Sequence, residues 1–206
     1  MRDVADFVAG FRRFQARYFG RDRELYEQLS RGQSPRALVI ACSDSRVDPA
    51  HLLDARPGDL FVVRNVANLV PPYETDGAMH GVSAALEFAV RVLEVGHVCV
   101  IGHGQCGGVK ALLEGAPGEF LPQWVAIARE ARDDVLARLP HKPPALQALA
   151  CEQASLLLSL RNLLTFPWVA ARVEAGSLTL HAWYFDLERG ALLGYDAATG
   201  RFAPLA

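Results

Sequence analysis

Long apolar runs are missing from this 206-residue chain. No stretch reaches the roughly 18–20 apolar residues that a membrane-spanning helix needs. No secretory apolar core follows the N-terminus, so neither a membrane protein nor a secreted one is expected. Charge of one sign is lacking too. The formal net charge is −2, which gives no electrostatic basis for binding nucleic acid or an anionic membrane. Six arginines fall within the first 23 residues, but Asp3, Asp6, Asp22 and Glu24 are interspersed among them. Organellar presequences are poor in acids, and a solvated helix face explains the run better. Internal repeats, low-complexity tracts and a Gly-Lys-Ser/Thr phosphate loop are also absent. Cysteine is scarce, with four residues. The expectation is a cytoplasmic protein whose thiols stay reduced and serve as core residues or metal ligands.

What the chain does contain is a hydrophobic fraction of 51%, ample for one substantial core, and a single domain over residues 1–206 is expected. Phe7, Phe11, Phe14 and Tyr18 recur at helical spacing and mark one face of a long N-terminal helix. A shorter helix follows at 23–30. Apolar runs at 36–42, 59–66 and 97–103 read as buried strands, and 177–187 and 190–196 as two more. Helices are expected at 81–96, 106–114, about 120–139 and 144–164. Asp48-Pro49 reads as an N-cap with Pro at the first helical position, opening a short helix after the first strand. Strands alternating with helices predict an α/β fold, with a mostly parallel central sheet carrying helices on both faces.

Two segments carry chemistry. "ACSDSRV" (41–47) ends the first strand, and "IGHGQCGG" (101–108) ends the third. In open parallel sheets, functional groups collect beyond the carboxyl ends of strands, so Cys42 and His103 are delivered to one edge. Cys106, three residues past His103, opens the next helix, where the helix dipole favours a thiolate. Two cysteines and a histidine suit Zn²⁺. Cys99 shares strand parity with His103 but stands about 13 Å away along the strand, and Cys151 lies in an apolar helix, where it packs as a small hydrophobe. Asp44 is the remaining candidate ligand, and Arg46 is positioned to pair with it. Taken singly, each of these could be a core thiol, a capped histidine or a structural ion pair.

Together, "ACSDSRVDPAHLLDARPGDLFVVRNVANLVPPYE" and "VIGHGQCGG", followed by "CEQASLLLSLRNLLTFPWV" and "HAWYFD", resemble the β-class carbonic anhydrases, in particular their plant-like branch. The likeness runs over nearly the whole chain. It implies one zinc per subunit on Cys42, His103 and Cys106, and reversible hydration of CO₂ to bicarbonate and a proton. Zinc-bound hydroxide would attack, oriented by Asp44, while Arg46 holds Asp44 off the metal; in a closed, inactive state Asp44 itself becomes the fourth ligand. The resemblance also implies a substrate pocket of Gln33, Phe61, Val66, Phe88, Gly107 and Gly108, built from two subunits. It therefore implies a homodimer or dimer of dimers, with the aromatic face of the N-terminal helix as a contact.

There are departures from the family pattern. Gly104 stands where many relatives carry Ser, and Phe88 where the plant type carries Tyr. Another branch holds inhibitory bicarbonate on Trp, Arg and Tyr. Val39, Arg64 and Phe185 stand there, so no such switch is expected. COS or CS₂ hydrolysis on the same scaffold, or a non-catalytic zinc-binding role, are the alternatives. An intact Asp44–Arg46 pair speaks against the second, since a structural site has no use for a movable carboxylate.

Overall fold

Apolar residues fill Ala37–Cys42 (β1), a strand buried at nearly every position, and such a strand must be covered on both faces. In the computed structural model, which describes residues 3–21 and 23–205, β1 lies inside a six-stranded sheet. Two units are distinguished, Met1–Ser34 and Pro35–Ala206.

The amino-terminal unit holds α1 (Val4–Gln15), a π-helical turn (Ala16–Arg21) and α2 (Arg23–Leu29). Asp3 caps α1, and the Asp6 carboxylate accepts from the Asp3 backbone N–H in return. The expected aromatic face divides into two parts. Phe14 and Tyr18 cluster with Tyr26 of α2, whereas Phe7 and Phe11 are 66% and 60% exposed, leaving an apolar stripe within this unit unburied.

The larger unit carries the sheet. Its strands are β1, β2 (Leu60–Asn65), β3 (His97–His103), β4 (Thr179–Asp186), β5 (Ala191–Asp196) and β6 (Arg201–Pro204), in the order β2-β1-β3-β4-β5-β6. The first four are parallel, and β4–β5 and β5–β6 are antiparallel. The mostly parallel α/β sheet is therefore present, extended by a hairpin edge. Its helices are α3 (Pro49–Leu52), α4 (Gly81–Glu87), α5 (Gly107–Glu114), α6 (Leu121–Val125), α7 (Arg129–Arg138), α8 (Pro144–Leu163) and α9 (Pro167–Glu174). Among the described residues, no single helix is long and apolar enough to cross a membrane.

One sheet face packs Leu38, Ile40, Val98 and Val100 against Leu86, Leu156, Leu163 and Phe166. Leu156 is fully buried there, a burial that contributes about 1.5–3 kcal/mol for a side chain of its size. Gly102 permits this approach, because a Cβ at that position would meet the Leu156 side chain at 3.1 Å. The other face buries Val39, Ala41, Cys99 and Ile101 beneath Leu52, Leu53 and Trp183. A further cluster, formed by Val109, Leu112, Val125, Val135, Cys151 and Leu158, encloses Cys42 and Cys106 beyond the strand ends. Cys151 thus packs as an apolar residue, as expected.

Several elements differ from the sequence expectation. The helix expected over 81–96 stops sooner, because its regular turns give way to a π turn at Phe88–Val92 and then to Glu94 in the left-handed region (φ 53°). The one expected over 120–139 is broken by a 3₁₀ turn at Ala126–Ala128. Two elements were not anticipated: α9, which opens with Pro167 at its first turn, and β6. Pro204 makes β6 read as loop, and proline is tolerated there because β6 is an edge strand.

Candidate metal centre

The parallel register brings Cys42 at the end of β1 and His103 at the end of β3 to the same sheet edge. Cys106 is the N-cap residue of α5. Its thiol sulfur lies 3.9 Å from that of Cys42, and the ligand atoms of Cys42, His103 and Cys106 all lie within 4.8 Å of one another. Two thiolates on tetrahedral zinc, with Zn–S of about 2.3 Å, stand about 3.8 Å apart. The observed spacing fits. The fit extends to the imidazole: His103 is buried, its Nδ1 bonds the Gly104 carbonyl at 2.9 Å, and its Nε2 has no hydrogen-bond partner. A buried ring nitrogen aimed at two thiols, with its other nitrogen fixed by a carbonyl, is the arrangement a metal-ligating histidine needs.

Electrostatics agree with the geometry. The Cys42 thiol is pulled down to about 4, first by its hydrogen bond with Cys106, against the effect of burial. His103 and the backbone N–H groups of Asp44 and Ala67 add to the lowering. Cys106 is pushed up, first because it holds the proton that Cys42 gives up and then by burial. For His103 the largest influence, burial, lowers its pKa, but Cys42, the Gly104 carbonyl and Asp44 together outweigh it and the net shift is upward. Cys42 is thus the first of the two thiols to ionise, and Cys106 keeps the proton that a divalent ion would displace on binding.

The surrounding backbone is held by strained and tightly packed turns. Ala67 and Gln105 both adopt left-handed conformations, with φ of 64° and 57°, which cost an L-residue about 1–2 kcal/mol. The first is fixed by Asn65, whose side chain bonds the Leu69 N–H and C=O, and by Trp124, whose Nε1 donates to the Val66 carbonyl at 2.7 Å. Gly108 makes room for this turn. A Cβ at Gly108 would stand 2.7 Å from the Val66 side chain and 2.8 Å from Ala67 Cβ. The Gly102, Gly104 and Gly107 spacing is shared with dinucleotide-binding loops. In this fold, however, the intervening His103 and Cys106 converge on Cys42, and Gly104 serves packing, because a Cβ there would meet the Tyr184 hydroxyl at 3.1 Å.

Asp44 and Arg46 sit on the loop after β1. Arg46 donates from Nε to Asp44 Oδ1 at 2.9 Å and from Nη2 to Oδ2 at 2.7 Å, and Nη2 also reaches the Gln105 carbonyl. The guanidinium holds the Asp44 carboxyl far below its usual range, against the opposing effect of burial. Asp44 Oδ2 lies 3.9 Å from His103 Nε2, which puts a carboxylate at the rim of the cluster.

Of the other expected site residues, Val66 and Gly108 meet beside the thiols, and a Cβ on Gly107 would find open space. Phe61 and Phe88 stack together with ring centroids 5.7 Å apart. Phe61 pairs with Leu38 on β1, four residues before Cys42 in the register, so within one chain this pair stands away from the thiols. Gln33 is an exposed residue of the amino-terminal unit.

Three residues support the site in ways the sequence does not show: Glu152 and Tyr184 are not singled out by it, and Arg64 reads from it only as a bicarbonate contact. Arg64 donates to the carbonyls of Cys42, Asp44 and Val47 and so pins the loop that carries Asp44. Glu152, 5% exposed on α8, accepts the Cys106 N–H at 2.9 Å on one oxygen and the Tyr184 hydroxyl at 2.8 Å on the other. Burial is the main cause of its raised pKa. The signal available was an acid set into the apolar helix "LACEQASLLLSL". Replacing Glu152 with alanine leaves the Cys106 N–H without its buried acceptor and loosens the ligand loop. Zinc retention is expected to weaken about 10–100-fold, read by competition with a chromogenic chelator; unchanged affinity would show that the loop holds itself.

Comparison with known proteins agrees with this geometry. The carbonic anhydrase family model matches residues 37–192. The chloroplastic β carbonic anhydrase 5 of Arabidopsis thaliana is 42% identical over 185 residues, covering 88% of this chain and 61% of that protein, so this chain spans less than two thirds of it. A carbonic anhydrase of Pseudomonas aeruginosa is 41% identical over 209 residues, covering 100% of this chain and 92% of that protein. In three dimensions, the β-carbonic anhydrase CcaA superposes with a TM-score of 0.92 at 36% identity, over 98% of this chain and 92% of that one. Sequence and fold agree along almost the whole chain, and so the chain belongs to the β class of the carbonic anhydrase family.

Proposed function

We propose that this protein catalyses the reversible hydration of CO₂ to bicarbonate and a proton, with Cys42, His103 and Cys106 holding one zinc ion per subunit. The observation that carries the reading is the unpartnered, buried Nε2 of His103 facing two thiols, with an arginine-clamped carboxylate 3.9 Å away. When bound, zinc supplies Lewis acidity, lowering the pKa of water so that a hydroxide nucleophile is available near neutral pH.

The chain's own residues do the rest. Asp44 remains a carboxylate throughout the working pH range, since Arg46 depresses its pKa, and therefore only accepts hydrogen bonds. Held by two contacts from Arg46, its Oδ2 takes a hydrogen bond from the attacking water and turns the free lone pair toward the CO₂ carbon. Arg64 keeps the Asp44 backbone in register for this. In the forward direction the water oxygen bonds to carbon, one C=O π pair moves to oxygen, and the departing proton leaves to solvent. Val66 and Gly108 give the approach an apolar wall suited to an uncharged linear substrate, and Gly107 leaves space beside it.

Phe61, Phe88 and Gln33 complete a plant-like pocket across a subunit boundary in this reading. That makes the working unit a homodimer or dimer of dimers of a single-domain, cytoplasmic enzyme. The exposed Phe7 and Phe11 stripe supports an oligomer, since such apolar surface is ordinarily covered. This reading includes no bicarbonate switch of the other branch: Val39 and Phe185 offer no polar contact, and Arg64 directs its donors to backbone carbonyls and the Asp48 carboxylate.

Stopped-flow CO₂ hydration on zinc-assayed protein, at about pH 7 and about pH 8.5, tests the reading. Rapid turnover at both is expected, because Asp44 is ionised and paired with Arg46 at each. Turnover only at the higher pH would place Asp44 on the metal at neutrality. No turnover at either, with one zinc per chain, would overturn the assignment and direct assays to COS and CS₂.

A further inference from the structure

A second pair of ligand-type side chains lies at the opposite end of the sheet from the metal centre. His97 opens β3, and His181 stands on β4 opposite Cys99 in the parallel register. Residues 97 and 99 on one strand, and 181 and 183 on its neighbour, point to the same face. His97 Nδ1 and His181 Nε2 are 3.2 Å apart, and their ring planes meet at 45°. His103 is six residues further along β3, about 20 Å away, so this pair shares no ligand with the catalytic cluster.

We propose that His97 and His181 form a second metal site, one that takes a single borderline divalent transition ion such as Ni²⁺ or Cu²⁺ through His97 Nδ1 and His181 Nε2. The spacing is the first argument. Imidazole nitrogens lie about 2.0–2.1 Å from such ions, so two of them at a right-angle to tetrahedral bite stand about 2.9–3.4 Å apart. The observed 3.2 Å lies within that interval.

Access and preorganisation are the second argument. His97 is exposed and His181 half-buried, so an ion arriving from solvent meets an accessible ring first and a more enclosed one behind it. Without metal, one ring donates to the other, which already holds both in place and lowers the entropy cost of capture. Burial, and then the neighbouring His97, lower the His181 pKa and favour the neutral form that ligates.

The donor set explains why the ion is not a second structural zinc. Cys99 lies on the same face, but burial pushes its thiol up to about 12, and it is not among the side chains that converge on one point. The ion would complete its shell with water. Two imidazoles and water favour the later first-row metals, with Ni²⁺ and Zn²⁺ both below Cu²⁺, and give an exchangeable site. Such an ion would clip β3 to β4, stabilising the fold by linkage while leaving the thiolate centre loaded.

The experiment is a titration of zinc-loaded enzyme with Ni²⁺ in a non-coordinating buffer, followed by calorimetry and by metal analysis. Trp183, whose ring is 5.6 Å from that of His181, supplies a fluorescence signal that Ni²⁺ quenches. The expected result is one Ni²⁺ per chain in addition to a retained zinc. His97→Asn and His181→Gln should each abolish that second equivalent and leave zinc content unchanged. If His181→Gln does not fold, the exposed His97→Asn decides alone. No saturable second equivalent, nickel that appears only as zinc is lost, or nickel binding that survives His97→Asn would each overturn the proposal.

Discussion

Cys106→Ala is expected to yield a folded chain that purifies without zinc and hydrates CO₂ no faster than buffer. The side chain is almost completely buried, with its sulfur 3.9 Å from that of Cys42, so removing it takes away one of the two anionic donors. Cys42 and His103 alone make a two-ligand site. Zinc held by a full thiolate and imidazole set is worth about 10–16 kcal/mol in apparent binding free energy, and losing one of three ligands removes enough of that for dialysis to strip the ion. The scaffold should survive, because the contact that anchors this position to Glu152 runs through the Cys106 backbone N–H, which alanine keeps. Zinc content by elemental analysis and stopped-flow hydration should therefore fall together while the circular dichroism spectrum persists. Zinc retained without activity would mean that the Asp44 carboxylate, 3.9 Å from His103 Nε2, has taken the vacated position. Zinc retained with activity would remove Cys106 from the ligand set.

The ligands were legible because they obey local rules. Buried β-strand runs place Cys42 and His103 at strand ends, and β3 spans His97–His103 as the apolar pattern predicts. Cys106 follows at the strand-to-helix turn, again a local signal. What supports the ligands was not legible, for the opposite reason. Glu152 is 46 residues from Cys106 and Tyr184 is 32 from Glu152. Neither sits in a pattern that announces a partner; an acid in an apolar helix shows that something must satisfy it, without showing what. Arg64 looks like the one remaining member of a three-residue bicarbonate site, whereas its three carbonyl contacts make it a brace for the loop that carries Asp44. The left-handed Ala67 is likewise invisible from composition, since alanine carries no preference for that conformation. The divided aromatic face of α1 repeats the lesson: helical spacing put Phe7, Phe11, Phe14 and Tyr18 on one side, but only the second pair meets α2.

The other large effect falls on Asp44. Asp44→Ala is expected to keep a full complement of zinc and to lower kcat about 100–1000-fold, a loss of about 2.7–4 kcal/mol of transition-state stabilisation. Zinc stays because Cys42, His103 and Cys106 are untouched and Arg64 still holds the loop through the Cys42 and Asp44 carbonyls, although the Arg46 N–H loses its acceptor on the carboxylate. Turnover falls because the acceptor that orients the attacking water is gone, so a productive lone-pair direction becomes one of many. Arg46→Ala separates this from a simple ion-pair role. Asp44 loses both of its guanidinium contacts and, with them, the main cause of its depressed pKa. A freed carboxylate can then enter the metal's remaining position. That variant should be inactive at neutral pH with zinc in place, and should recover in part at higher pH as hydroxide competes for the position. Because Asp44 and Arg46 act as one unit, the double variant should be little worse than Asp44→Ala alone, a marked departure from additivity. Normal hydration by Asp44→Ala would sink the orienting role outright. Additive losses in the double variant would instead show two independent contributions, with Arg46 acting on substrate or solvent and not through Asp44.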